Sequence, residues 1–372
     1  MAVVTGAGKT LFAMQCMLAA LEQHTECHFL IVVPTVALLD QWHVGVVDEL
    51  GASEDDIALI GGGAHFAGTR RIVIAVMDSA REVISSIVHD GDWFLIVDEC
   101  HHAGSDSNRR VLQGSFVATL GLSATPERQY DTWFEDYVVP ALGPVVYRYA
   151  YEEARRDGVI ADFALWNVRV PLLPAEQERI DSISASISRE TARLRRRDIS
   201  ESPRLRRLLF ARSRASQSAR SRVATAVSLV DSHRGQRGIV FHEAIEGANR
   251  IAELLSSRGH RVRLYHSGLG APTRYLNLRL YSIGQIDVLV TCRALDEGID
   301  VPATEYGILA ASTASHRQRV QRMGRVLRPA PGKAHAVVMT LYALPVEASS
   351  LQREEVRLEG VAEVRWFEAS RP

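Results

Sequence analysis

Short apolar runs rich in Val, Ile and Leu alternate along this chain with longer stretches whose apolar residues recur at helical spacing. Runs at 29–33, 72–76, 94–97 and 117–122 predict strands, and the stretches 10–21 and 35–50 predict helices. Nearly continuous apolar strands alternating with helices predict a parallel sheet covered on both faces. The rhythm stops and then resumes with runs at 238–241, 262–265, 287–291, 306–309 and 334–340, so a second α/β block is expected. Between the blocks, residues 155–173 suggest a short helix, a stop at Gly158 and an extended run over 163–170. Pro171-Leu172-Leu173-Pro174 breaks that run, and from 175 to about 232 the pattern is helical. The predicted class is α/β, two parallel-sheet domains with a helical insert between them or within the second. The expected divisions are 1–150, a connector and insert over 151–232, a second block over 233–345, and a helical tail of mixed charge over 346–372.

Composition excludes several classes. In 372 residues, 47% are hydrophobic and 23% charged, which is ordinary for a globular protein and unlike a disordered chain. No apolar run approaches the roughly 18 residues a membrane helix needs, and the N-terminus lacks a secretory pattern. Cys16, Cys27, Cys100 and Cys292 stand far apart, so neither a disulfide framework nor a zinc site is indicated. The cytosol is the simplest compartment. A net charge of −1 excludes a polycation that coats any nucleic acid it meets. Locally the balance differs: residues 185–225 hold 12 arginines against Glu190, Asp198 and Glu201. These arginines can follow phosphates or can simply be the solvated faces of helices in an arginine-biased chain. Of the 43 basic residues only Lys9 and Lys333 are lysines, which makes the position of Lys9 informative.

Lys9 lies in the segment Thr5-Gly6-Ala7-Gly8-Lys9-Thr10, between Val3-Val4 and a predicted helix. Glycines let backbone N–H groups face an anion, and a helix N-terminus behind them adds its dipole. A lysine adds a point charge to terminal phosphates, and a hydroxyl can ligate Mg²⁺. The full phosphate-loop pattern would place Gly or Ala at Val3. A second constellation is the apolar run ending in Asp98-Glu99-Cys100-His101, which puts two carboxylates at the carboxyl edge of a parallel sheet. The first acid can hold Mg²⁺ and the second can orient or deprotonate water. Cys100, His101 and His102 as metal ligands form a weaker alternative, because adjacent side chains rarely point at one ion. Gly61-Gly62-Gly63 lacks a following Lys or helix and is read as a turn.

Taken together, these segments resemble superfamily 2 helicases in the DExH spelling. Lys9 and Asp98-Glu99-Cys100-His101 look like motifs I and II. Val33-Pro34-Thr35, with Leu38, Gln41 and Trp42, resembles motif Ia. Leu122-Ser123-Ala124-Thr125-Pro126 resembles motif III, and Gly238-Ile239-Val240-Phe241 motif IV. Thr291 through Asp296-Glu297-Gly298-Ile299-Asp300 is similar to motif V, and Gln321-Arg322-Met323-Gly324-Arg325-Val326-Leu327-Arg328 to motif VI. The spelling is most like XPB-type DNA helicases and bacterial restriction and repair relatives.

The resemblance implies two RecA-like domains, ATP and Mg²⁺ as cofactors, and a nucleic-acid partner, DNA before RNA. It places ATP phosphates on Thr5, Gly6, Ala7, Gly8, Lys9 and Thr10, the metal on Thr10 and Asp98, the attacking water on Glu99, and the ribose near Asp300. Gln321, Arg325 and Arg328 would complete the catalytic set. His101, Ser123 and Thr125 would couple nucleotide state to movement. Pro34, Thr35 and Thr291 would touch the nucleic-acid backbone; independently of the resemblance, the local excess of positive charge in the insert makes Arg195, Arg196 and Arg197 a further expected contact. The phosphate loop begins almost at Met1, so the first domain is expected to be truncated at its N-terminal side, with a protein partner able to cover the edge. Two rival functions remain: a catalytically weak nucleic-acid-binding subunit of a repair or defence complex, and an RNA helicase.

Overall fold

A computed structural model of the chain describes residues 1–4, 7–61, 70–88, 92–124, 132–196, 202–292, 304–311, 322, 326 and 335–369. The described residues form two units, the first from Met1 to Ile160 and the second from Ala161 onward. Tyr151–Ile160 therefore joins the first unit, ten residues beyond the boundary the sequence pattern suggests.

The first unit runs β1 (Ala2–Val3), α1 (Lys9–Gln23), β2 (His28–Val33), α2 (Val36–Leu50), β3 (Ile57–Ile60), β4 (Ile72–Val76), α3 (Met77–Ile87), β5 (Trp93–Asp98), β6 (Ala118–Leu122), α4 (Val139–Leu142), β7 (Arg148–Tyr149) and α5 (Tyr151–Arg156). Five strands form a parallel sheet in the order β3-β4-β2-β5-β6. The short parallel pair β1-β7 extends it, because Ala2 bridges Ser123 just past β6 and the Val3 N–H donates to the Ser123 carbonyl at 2.9 Å. Strand β5 is buried at every position, as expected of a strand covered on both faces. On one face, Ala13, Met14 and Met17 of α1 and Leu39, Trp42 and Val46 of α2 close over Phe29, Ile31, Phe94 and Ile96. On the other, Ala80 and Ile84 of α3, with Phe134 and Val138, cover Leu30, Val32, Leu95 and Val97.

The second unit runs β8 (Asp162–Arg169), α6 (Pro174–Arg195), α7 (Pro203–Gln217), α8 (Arg220–Ser232), β9 (Gly238–Phe241), α9 (Ile245–Ser257), β10 (Val262–His266), α10 (Ala271–Ser282), β11 (Val288–Cys292), β12 (Tyr306–Leu309), β13 (His335–Tyr342), α11 (Pro345–Arg357) and β14 (Glu363–Glu368). Its seven strands are all parallel, in the order β10-β11-β9-β12-β13-β8-β14. Ala226, Val227 and Val230 of α8 and Ala248, Ile251 and Leu255 of α9 cover one face. The ring of Tyr306 in β12 lies over Gly238 of β9, where an added Cβ would come within 2.0 Å of it, so a larger residue there would force the buried ring to move.

Two expectations change. The extended run of the connector is a full sheet strand, β8, held between β13 and β14. The tail, read as helical, is helical only in α11; its last segment, β14, pairs in parallel with β8 from Glu363 to Glu368. Strand β14 alternates between half-buried and exposed positions, so it carries no continuous apolar signal. Among the described residues, no helix is long and apolar enough to cross a membrane.

Candidate active site

Chain geometry gathers the phosphate-loop lysine and the two acids at one edge of the first sheet. Asp98 ends β5 opposite Leu122 of β6, and Ser123 then bridges Ala2 of β1. The strand ends that carry the acids, Ser123 and the start of the loop are thus adjacent, at the carboxyl edge where α/β proteins bind ligands. Thr5 and Gly6 lie outside the described residues. Gly8 has φ +78°, a left-handed conformation that disfavours a side chain, and open space lies where a Cβ would project. Lys9 and Thr10 open α1, whose N-terminus carries no side-chain cap, so its first N–H groups and dipole remain for an anion. Lys9 Nζ donates to the Val3 carbonyl at 3.4 Å, holding the ammonium over the strand end.

Asp98 and Glu99 are both buried. Oδ1 of Asp98 accepts from the Glu99 N–H, and Oδ2 accepts from the Trp42 indole N–H, each at 2.9 Å. Glu99 has φ +47° and is the only non-glycine at positive φ among the described residues. Such a backbone costs on the order of 1–3 kcal/mol and concentrates at functional sites. His101 is fully buried, with Nδ1 3.0 Å from Ser123 Oγ and 3.4 Å from Glu99 Oε2. One imidazole therefore spans the second acid and the end of β6. Thr125 lies outside the described residues.

The donor set suits a hard cation shared with phosphates: one carboxylate, Asp98, with lone pairs beyond the two hydrogen bonds it accepts, and the Thr10 hydroxyl at a helix start. It does not suit a soft metal. Burial pushes the Cys100 thiol up to about 12, far from the thiolate that binds zinc, and Cys100 packs towards Gly121. No group of three or more His, Cys, Asp or Glu able to hold a metal gathers among the described residues.

Other expected residues fall in several environments. Pro34 and Thr35 are half-buried, and Thr35 Oγ1 caps α2 by accepting from the Leu38 N–H at 3.4 Å. Thr291 is fully buried in β11, and its hydroxyl finds no hydrogen bond among the described residues. Arg195 and Arg196 are exposed at the end of α6, whereas Arg197 lies outside the described residues. So do Asp300, Gln321, Arg325 and Arg328. Their neighbours are described: Arg322 is fully buried, donates to Glu243 Oε1 at 2.9 Å and lies over the Phe241 ring, while Val326 packs on Gly307. Arg322 thereby rests on Phe241 of β9 and Val326 on Gly307 of β12.

Arg222 departs most from its sequence context. Counted in the basic cluster, it is fully buried and bonded within the second unit. The other residue that sequence reasoning underrated is Trp42, quoted only within motif Ia. A tryptophan on the buried face of a helix that follows a sheet strand was its one available signal.

Residues 1–128 match the family model of the type III restriction enzyme res subunit, and residues 221–330 that of the helicase conserved C-terminal domain. The DNA 3'-5' translocase XPB2 of Sulfurisphaera tokodaii is 28% identical over 343 residues, covering 87% of this chain and 73% of that protein. The putative DNA 3'-5' helicase Rad25 of Halobacterium salinarum is 29% identical over 331 residues, covering 87% of this chain and 48% of its own length. The chain thus spans about half the length of that second relative. The fragment structure of a putative HsdR subunit of a type I restriction enzyme from Vibrio vulnificus has a TM-score of 0.68 at 18% identity, covering 99% of this chain and 64% of that one. That likeness shows the fold alone. Each half of this protein thus matches a family model of its own, the first a restriction-enzyme res subunit and the second a helicase domain, and over 87% of its length the chain is similar to DNA 3'-5' helicases and translocases of the XPB and Rad25 kind.

Proposed function

We propose that this protein is an ATP-dependent DNA helicase or translocase, using Mg²⁺ and coupling ATP hydrolysis to movement on DNA. The observation that carries the reading is the shared sheet edge: Lys9 opens α1 there, Asp98 and Glu99 end β5, and His101 reaches from Glu99 to Ser123. A bound Mg²⁺ would neutralise charge on the phosphates. Lys9 and the N-terminus of α1 hold the phosphate oxygens, and Thr10 and Asp98 provide oxygen ligands. Glu99 orients the attacking water and accepts its proton. Gln321, Arg325 and Arg328 would, as the resemblance implies, supply polar and cationic groups to the charge that develops on the transferred phosphoryl, and Asp300 would approach the ribose. His101, Ser123 and Thr125 relay the state of the acids to the end of β6.

Both curated relatives described above bear names of DNA 3'-5' motors, which favours DNA over RNA. The deciding measurement is ATP hydrolysis by the purified chain with DNA or RNA of equal sequence. DNA is expected to stimulate turnover at least about tenfold more than RNA. Equal or greater stimulation by RNA would overturn the DNA assignment, and no stimulation by either would support the weak-clamp alternative.

The exposed arginines at the end of α6, and separately the half-buried Pro34 and Thr35, are proposed to touch the nucleic-acid backbone, whereas Thr291, expected there too, is fully buried in β11 and is left out. Reversing Arg195, Arg196 and Arg197 to Glu is expected to weaken DNA binding and flatten its salt dependence. Each lost phosphate contact removes about 0.9 from the slope of log affinity against log salt on duplex DNA. An unchanged slope would remove the insert from the binding surface.

A further inference from the structure

We propose that Trp42 is a positioning residue for the metal-binding carboxylate, fixing Asp98 through its indole N–H; this rests on the motor reading above. Trp42 is fully buried in the layer between α2 and the first sheet, beside Met14, Phe94 and Ile96. Filling that layer needs only an apolar ring. A buried indole also needs an acceptor for its N–H, and here the acceptor is Asp98 Oδ2 at 2.9 Å.

With Oδ1 accepting from the Glu99 N–H and Oδ2 from the indole, the carboxylate is held at both oxygens. The remaining lone pairs keep one direction, which is what a cation with strict octahedral demands requires of a ligand. Hydrogen bonds behind a metal ligand often matter about tenfold to a hundredfold in affinity or activity.

The bond also joins two motifs. Helix α2 starts at the Thr35 cap, in the segment proposed to follow the nucleic-acid backbone, and Trp42 lies seven residues on, about 10 Å along the axis. A displacement of α2 therefore moves the donor that orients Asp98.

The test is Trp42→Phe, which keeps an aromatic ring in the core and deletes the N–H. Binding of a fluorescent ADP analogue is titrated with Mg²⁺ in the parent and the variant, after thermal unfolding shows that both are folded. Affinity without Mg²⁺ is expected to stay within about twofold, while the Mg²⁺ concentration giving half of the metal-linked tightening rises tenfold or more. An unchanged half-saturation in the folded variant overturns the proposal, since loss of packing alone does not act selectively on the metal. A parent showing no Mg²⁺-linked nucleotide binding overturns the motor reading itself.

If Trp42→Phe does not fold, the parent supplies the answer through its five ¹⁵N-labelled indoles, assigned by replacing Trp93, Trp133, Trp166 and Trp366 singly. The Trp42 indole resonance is expected to move on adding Mg²⁺ with ADP and to stay in place with ADP alone. No movement with Mg²⁺ overturns the assignment.

Discussion

Replacing Glu99 by Gln is expected to lower DNA-stimulated ATP turnover at least about a hundredfold while leaving nucleotide affinity nearly unchanged. General base catalysis contributes about 10²–10⁴ in rate, and an amide in the same position can hold a water but cannot take its proton. The substitution keeps side-chain volume, so the environment of Oε2, 3.4 Å from His101 Nδ1, remains occupied. The left-handed backbone at residue 99 costs Gln what it costs Glu, so unfolding temperature should move little. Phosphate release at saturating ATP and DNA, beside the binding of a fluorescent nucleotide, checks the result. Turnover within about threefold of the parent would remove Glu99 as base; lost nucleotide binding would show that its role is structural.

The relation between Glu99, His101 and Ser123 shows what the sequence contains and what it withholds. Motif order was legible because each motif is local: an apolar strand, then the residues its carboxyl end presents. Strands β2, β4 and β5 were readable for the same reason, being buried on both faces and continuously apolar. The reach of His101 to Ser123 joins residues 22 apart through the pairing of β5 with β6, and no local pattern states that pairing. Trp42 and Asp98 are 56 residues apart and equally invisible to periodicity. Strand β14 was missed for another reason. It is an edge strand of mixed polarity, and such a segment takes its conformation from the neighbour it pairs with.

Charge misled where burial decided. In a run of twelve arginines, all but position were alike, yet Arg195 and Arg196 face solvent while Arg222 is fully enclosed. The distinction follows from helix phase. Arg222 sits in the first turn of α8, the helix that turns Ala226, Val227 and Val230 onto the second sheet; position 222 is four residues before Ala226 and shares its face. An arginine at such a position must find acceptors indoors.

Arg222 finds many, and Arg222→Ala is accordingly expected to destabilise the second unit by about 3–5 kcal/mol, the range for removing one partner of a buried ion pair. Its guanidinium donates to the Ser216 carbonyl at 2.8 Å, the Leu341 carbonyl at 2.7 Å and the Ala310 carbonyl at 3.2 Å. It also donates to Glu347 at 2.7 and 2.9 Å and to Ser216 Oγ at 2.9 Å. Glu347 in turn accepts from the Ala343 and Leu344 N–H groups, both at 2.8 Å, at the start of α11. One side chain thus ties α8 to the ends of β12 and β13 and to the cap of α11. Alanine would strand a half-buried carboxylate and three carbonyls, and would leave a cavity as well. At about 2–4 °C per kcal/mol for a unit of this size, the unfolding midpoint should fall by roughly 10 °C. Lysine restores the charge but not the planar fork that serves several acceptors at once, so Arg222→Lys should recover only part of the loss. Combining Arg222→Met with Glu347→Gln, which removes the stranded charge together with its partner, should cost less than the sum of the two single changes. Thermal or urea unfolding of the parent, Arg222→Met, Glu347→Gln and the double variant measures this coupling; a loss under about 1 kcal/mol in Arg222→Ala would mean that water enters and satisfies the vacated acceptors.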